Sequence, residues 1–137
     1  MREILFRGKR VDNGDWVEGS YINSVVKNGV FGYIAGNNVI NPKKIYKKTL
    51  GQYTGLTDKN GTKIFDGDIV KYHKETYTSM KDTIGIVEYY NGSYGISYEN
   101  NQHFLEFSSM SMYVRWYEVI GNIYDNPELL EEKQDER

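Results

Sequence analysis

Apolar and polar residues alternate with a period of two through the best-defined stretches of this chain. Tyr94, Ile96 and Tyr98 alternate with Gly95 and Ser97, which places the apolar set on one face of a strand. The stretch from Ile84 to Tyr90 comes before it and Asn91-Gly92 lies between the two. Asn-Gly tolerates two consecutive positive φ angles and closes two-residue hairpins. The same dipeptide recurs at Asn13-Gly14, Asn28-Gly29 and Asn60-Gly61, each beside β-prone residues such as Trp16-Val17, Val25-Val26, Val30-Phe31 and Ile64-Phe65. The pattern predicts four such hairpins. A last strand is predicted over 113–123, with Tyr117, Val119 and Ile123 on one face. The stretch Gln102 to Met112 reads equally as a strand or a short helical turn around Phe104, Leu105 and Phe107.

The alternation ends at Asp125-Asn126-Pro127-Glu128. Asn126 suits an N-cap, Pro127 the first helical position and Glu128 the positive helix end. Leu129 and Leu130 then meet a wholly polar run to Arg137. A short C-terminal helix that docks by its leucines is predicted, with a fraying polar tail over 126–137. The fold class is therefore all-β: N-terminal β-hairpins, a β-rich core and one short helix. The 137 residues suit one domain over 1–125, or two small subdomains over 1–50 and 51–125. Thirteen tyrosines and fourteen glycines against two prolines fit many short strands and tight turns.

Composition narrows the chemistry. The chain has no cysteine, which removes disulfides, thiolate metal sites and thiol nucleophiles and fits a reducing cytoplasm. No apolar run approaches the ~20 residues of a membrane helix, and the N-terminus lacks the apolar region of a signal peptide. A net charge of -2 does not steer the whole molecule to nucleic acid.

The segment Lys63 to Tyr72 holds a tight turn, Asp66-Gly67-Asp68, between apolar pairs. Its glycine can take a conformation closed to other residues and its aspartates can accept from nearby backbone N–H groups. A turn of this kind leading into a Val/Ile strand is similar to those of small SH3-like barrels. The functional alternative is a metal or acid/base cluster of Asp58, Asp66 and Asp68, which the spacing of a calcium loop does not support. The run Lys43, Lys44, Ile45, Tyr46, Lys47, Lys48 is the one basic run outside Arg7 to Arg10. Its four lysines around a tyrosine could hold phosphates and stack a base. The plainer reading is a solubilising edge, since lysines commonly protect strand edges. His73 and His103 are far apart and lack ligand spacing. Gly32, Gly36, Asn37 and Asn38 lack the Gly-Lys-Ser/Thr ending of a phosphate loop. Trp16 and Trp116 are expected to fill the core, and Arg7 to Arg10 to sit where the first hairpin meets water.

Several blocks together resemble the YopX-like phage and prophage protein family. They are Ile4 to Lys9 with Gly14 to Gly19, then Gly51 to Gly61, then Ile64 to Val70, and finally Tyr117 to Leu130. The resemblance covers nearly the whole chain in the expected order. It implies a phage or prophage origin and a β-rich, SH3-like barrel core. It implies no established reaction, cofactor or catalytic residue, so none is carried over. The match is weakest over Ser20 to Asn41 and Lys74 to Thr83, which read as variable loops where specificity resides. The expectation is a non-enzymatic binding or accessory protein in the cytoplasm of a bacterial host. Its partner would be another protein or a second copy of the chain, without cofactor, metal or membrane. The rivals are a nucleic-acid-binding regulator using Lys43, Lys44, Tyr46, Lys47 and Lys48, and a hydrolase whose carboxylates the fold gathers from distant positions.

Overall fold

A computed structural model describes residues 3–36, 41–75, 80–107 and 117–131, with the backbone alone for 73–75 and 80–82. The chain divides into two compact units, Met1–Gly55 and Leu56–Arg137.

In the first unit, β1 (Phe6–Lys9), β2 (Trp16–Val26), β3 (Gly29–Ala35), β4 (Lys43–Ile45) and β5 (Gly51–Thr57) lie in the order β4-β3-β2-β1-β5. The paired strands are antiparallel, with Gly8 opposite Val17, Ile22 opposite Tyr33 and Tyr33 opposite Lys44. Ile34 and Ile45 are buried on the face that also carries Gly8. A Cβ on Gly8 would stand 2.5 Å from the Ile45 Cδ1, so any side chain there would force Ile45 to shift. Arg10 also bridges to Ile45. Val11 N donates to the Lys44 carbonyl and Tyr46 N to the Lys9 carbonyl, each at 2.9 Å. The outer side of β4 is thereby bonded to the chain that leaves β1.

β5 runs on into the second unit, where Asp58 N donates to Thr62 O at 2.8 Å and turns the chain into β6 (Lys63–Phe65). A five-stranded antiparallel sheet follows. It is built from β7 (Asp68–Glu75), β8 (Met80–Tyr90), β9 (Ser93–Tyr98), β10 (His103–Glu106) and β11 (Tyr117–Asn122), in the order β10-β9-β8-β7-β11. Strand alternation makes the core: Val70, Tyr72, Val87, Ile96 and Tyr117 meet Ile64 and Phe107, with Leu105 and Val119 packed at the side. Tyr117 stacks on Tyr72 at 4.9 Å and meets Phe107 in a T-shaped contact at 5.2 Å. β11 bulges between Val119 and Gly121, and Ile123 falls in the turn beyond it. Ile123 therefore does not extend the Tyr117 and Val119 face as the alternation predicted. Helix α1 (Glu128–Glu131) begins one residue after Pro127.

The all-β class predicted from the pattern holds, but the Asn-Gly pairs do not all close two-residue hairpins. Asn91-Gly92 does: Tyr90 pairs with Ser93, and φ is 55° at Asn91 and 88° at Gly92. At the second site Val26 pairs with Gly29, so the turn residues are Lys27-Asn28. At the third the loop is Lys59-Asn60-Gly61, closed by Asp58 and Thr62. At the first Arg10 N donates to Asp15 O, which leaves a four-residue loop from Val11 to Gly14. At the first and third sites side chains outweigh the local turn preference: Asn13 Oδ1 accepts from Asp15 N and Asp58 Oδ1 from Asn60 N. The expected variable loops are also mostly strand. Ser20 to Val26 pairs with Gly29 to Ala35, and His73 to Glu75 pairs with Met80 to Asp82. Gln102 to Met112, ambiguous in sequence, is strand over His103–Glu106, and its residues 108–112 lie outside the described part.

Candidate functional site

The lysine run occupies β4 and the 3-10 turn Lys47–Thr49. Ile45 anchors it inside while Lys44, Tyr46, Lys47 and Lys48 are exposed and Lys43 is half-buried. Thr49 fixes the turn: its Oγ1 accepts from Lys9 N at 2.9 Å and donates to the Tyr46 carbonyl at 2.6 Å. The lysines do not form one array. Lys44 Nζ lies 3.9 Å from the centroid of the Phe31 ring, and the stem of Lys47 passes over Gly32. The hydrogen bond from Arg10 holds the Asp12 carboxyl below its ordinary range, and the charge of Lys43 is the smallest contribution. Tyr46, 46% exposed, presents a ring amid these cations.

Trp16 is not a core residue. It is half-buried opposite Lys9 on β1, with the Arg7 guanidinium 4.6 Å and Lys9 Nζ 5.6 Å from its ring centroid. Alternation puts Arg7, Lys9 and Trp16 on one sheet face, which explains the departure: β1 offers cations there rather than apolar partners. Trp116 lies outside the described residues.

Asp58 and Asp68 organise backbone. Asp58 Oδ1 accepts from Asn60 N at 2.8 Å and Thr62 N at 2.9 Å, and Asp58 Oδ2 accepts from Val119 N at 2.9 Å. Asp68 Oδ2 accepts from Phe65 N at 2.8 Å across the turn whose apex is Gly67 at φ +91°. Gly67 N donates to Val87 O and Gly67 O accepts from Ile123 N, each at 2.9 Å. Among the described residues no group of three His, Asp or Glu side chains is placed to hold a metal. His103 stacks on Tyr98 at 5.2 Å and pairs with Glu99 at 3.2 Å, while His73 lies on β7.

Sequence reasoning missed the aromatic tip of the β8–β9 hairpin. Tyr89 and Tyr90 are 60% and 61% exposed, yet each ring has an aromatic neighbour. Tyr89 meets Tyr94 edge-on at 5.0 Å, and Tyr90 meets Phe104 at 5.2 Å. Being adjacent on a strand, the two tyrosines point to opposite faces. The Asn91-Gly92 turn was the available signal, because it fixes which aromatics sit at the tip. No helix of the described residues is long and apolar enough to cross a membrane.

A crystal structure of protein EF1440 from Enterococcus faecalis is similar in fold. The TM-score is 0.54 at 22% identity, with 95% of this chain and 99% of that chain covered. No protein of curated function matches the chain. The family described as YopX protein matches residues 5–131, most of the chain, from Leu5 before β1 to the end of α1. On that match the chain belongs to the YopX protein family.

Proposed function

We propose that this protein is a non-enzymatic binding or accessory protein of phage or prophage origin, acting in the cytoplasm of a bacterial host through a protein partner. In this reading its β-rich core is a small SH3-like barrel that carries binding surfaces rather than an active site. The supporting observation is the pair Tyr89 and Tyr90, exposed at a hairpin tip and each braced by a second ring. Aromatic rings held before binding lose little side-chain freedom on docking, and tyrosine is among the commonest interface anchors. Two of the three candidate acidic side chains, Asp58 and Asp68, accept from backbone N–H groups. The test is a pull-down from phage-infected cells with the wild-type chain and a Tyr89→Ser, Tyr90→Ser variant. A partner retained by the wild type and lost by the variant, at unchanged thermal stability, is the expected result. Equal retention by both would refute the tip as the docking site.

A second reading, nucleic-acid binding, is favoured by one observation, the division of charge. The first unit holds nine Lys and Arg against four Asp and Glu, and the second holds eight against fifteen. The overall charge of -2 thus combines a basic unit with an acidic one.

A further inference from the structure

β2 is 11 residues long, but β1 pairs only with its first four, Trp16 to Gly19. At Phe6 the chain leaves that edge, and the Leu5 carbonyl accepts from Tyr53 N instead. From Ser20 to Val26 one side of β2 is bonded to β3, and its other side has no strand beside it among the described residues. The segment reads Ser-Tyr-Ile-Asn-Ser-Val-Val: it has no charge, no proline and no glycine. Val25 is 73% exposed, Val26 50% and Ile22 39%.

Among the described residues, the outer edges of β4, β11 and β10 are covered, short or charged. In the first unit the outer side of β4 is closed by Val11 N on the Lys44 carbonyl and, just beyond it, by Tyr46 N on the Lys9 carbonyl. In the second, the outer side of β11 is closed by Lys59 N on the Tyr117 carbonyl and by Asp58 on Val119 N. β10 is short and carries His103 and Glu106. Charges, short strands and covering groups are how soluble sheets avoid pairing with other chains. Among the described residues the β2 edge has none of these devices from Ser20 to Val26.

We propose that this edge pairs with the same edge of a second copy of the chain, antiparallel about a two-fold axis near Asn23. An isologous contact sets each residue against a residue of the same segment. A charged edge would then meet like charge, whereas this one meets none. With Asn23 at the centre, Tyr21 faces Val25 and Ile22 faces Ser24 of the other copy. The exposed valines gain apolar neighbours and alternate N–H and C=O groups gain partners. The surface belongs to the first unit and is independent of the aromatic tip, so Tyr89 and Tyr90 variants leave the association unchanged.

Because the chain has no cysteine, Asn23→Cys introduces a single thiol at the centre of the edge, and Lys27→Cys introduces one at the hairpin turn. Mild oxidation or a short bis-maleimide linker should convert most of the Asn23→Cys protein to a covalent dimer and little of the Lys27→Cys protein. Sedimentation equilibrium of the wild type should give twice the 16.0 kDa chain mass at tens of micromolar. Val25→Lys, at an exposed site, should return it to the chain mass. Added salt should strengthen the association, since it screens repulsion between two basic units. A wild type that stays at the chain mass, a Val25→Lys variant that still dimerises, or equal cross-linking of the two thiol variants would each overturn the proposal. If Val25→Lys fails to fold, the cross-linking comparison decides alone.

Discussion

At Gly67 the backbone takes φ +91°, a conformation that side-chain-bearing residues rarely adopt, and a Cβ there would lie 3.3 Å from the Tyr124 ring. Both backbone groups of Gly67 are bonded, to Val87 and Ile123, so the turn cannot relax without losing those contacts. Gly67→Val should therefore destabilise the protein by about 1–3 kcal/mol. An unchanged denaturation midpoint would show that the turn tolerates the change. Tyr117 makes a different kind of demand. Burial, with smaller contributions from Tyr72 and Tyr98, pushes its phenol above the ordinary tyrosine range. The folded state then holds that proton more tightly than the unfolded chain does. This stability is complete below about pH 10, where the unfolded phenol ionises, and declines as pH rises further. Comparing wild type with Tyr117→Phe from pH 8 to 11.5 should show a steeper alkaline loss in the wild type. Parallel profiles would remove Tyr117 as a source.

Among the elements, β8, β9 and α1 were the most legible in sequence. Tyr94, Ile96 and Tyr98 alternate on a half-buried sheet, Asn91-Gly92 is a local turn signal, and Pro127 marks a helix start. The first and third Asn-Gly sites read less well because bonds beyond the turn hold their loops, Val11 N to Lys44 O and Lys59 N to Tyr117 O, beside the local ones from Asn13 and Asp58. The aromatic tip and the open β2 edge were not legible, because both depend on where neighbouring strands stop. Asp58 shows how far such a tie reaches. It looks like a turn former in sequence, yet its second oxygen holds Val119 N, 61 residues away. Asp58→Ala leaves three backbone donors without their acceptor: two in its own loop and one on β11. Each buried donor left unsatisfied costs about 1–3 kcal/mol. The variant should lose stability, and amide exchange should accelerate at Val119 as well as at Asn60 and Thr62. Acceleration confined to the loop would mean that β11 does not depend on Asp58.

On the scale of the whole molecule, electrostatics decides between the binding readings. Opposite charge on the two units means that an overall charge of -2 does not by itself exclude nucleic acid. The lysine run can then be weighed by counting contacts. If Lys43, Lys44, Lys47 and Lys48 all neutralised duplex phosphates, the logarithmic salt slope would be about −3.6. Raising salt fourfold would weaken such binding roughly a hundredfold. The geometry offers fewer contacts than that: Lys44 lies over the Phe31 ring and the stem of Lys47 passes over Gly32, and these neighbours on β3 face opposite sides of the sheet. An acidic second unit adds long-range repulsion, which salt screens beyond about 8 Å at physiological strength. Duplex binding at physiological salt should therefore be undetectable or weaker than micromolar. Any binding at low salt should show a slope shallower than four contacts predict. Fluorescence anisotropy with a duplex across a salt series checks this directly. Sub-micromolar binding with a steep slope, abolished by changing the four lysines to glutamine with the fold intact, would make the protein a nucleic-acid binder. The β2 edge would respond in the opposite sense, since its self-pairing buries uncharged strands and strengthens as salt rises.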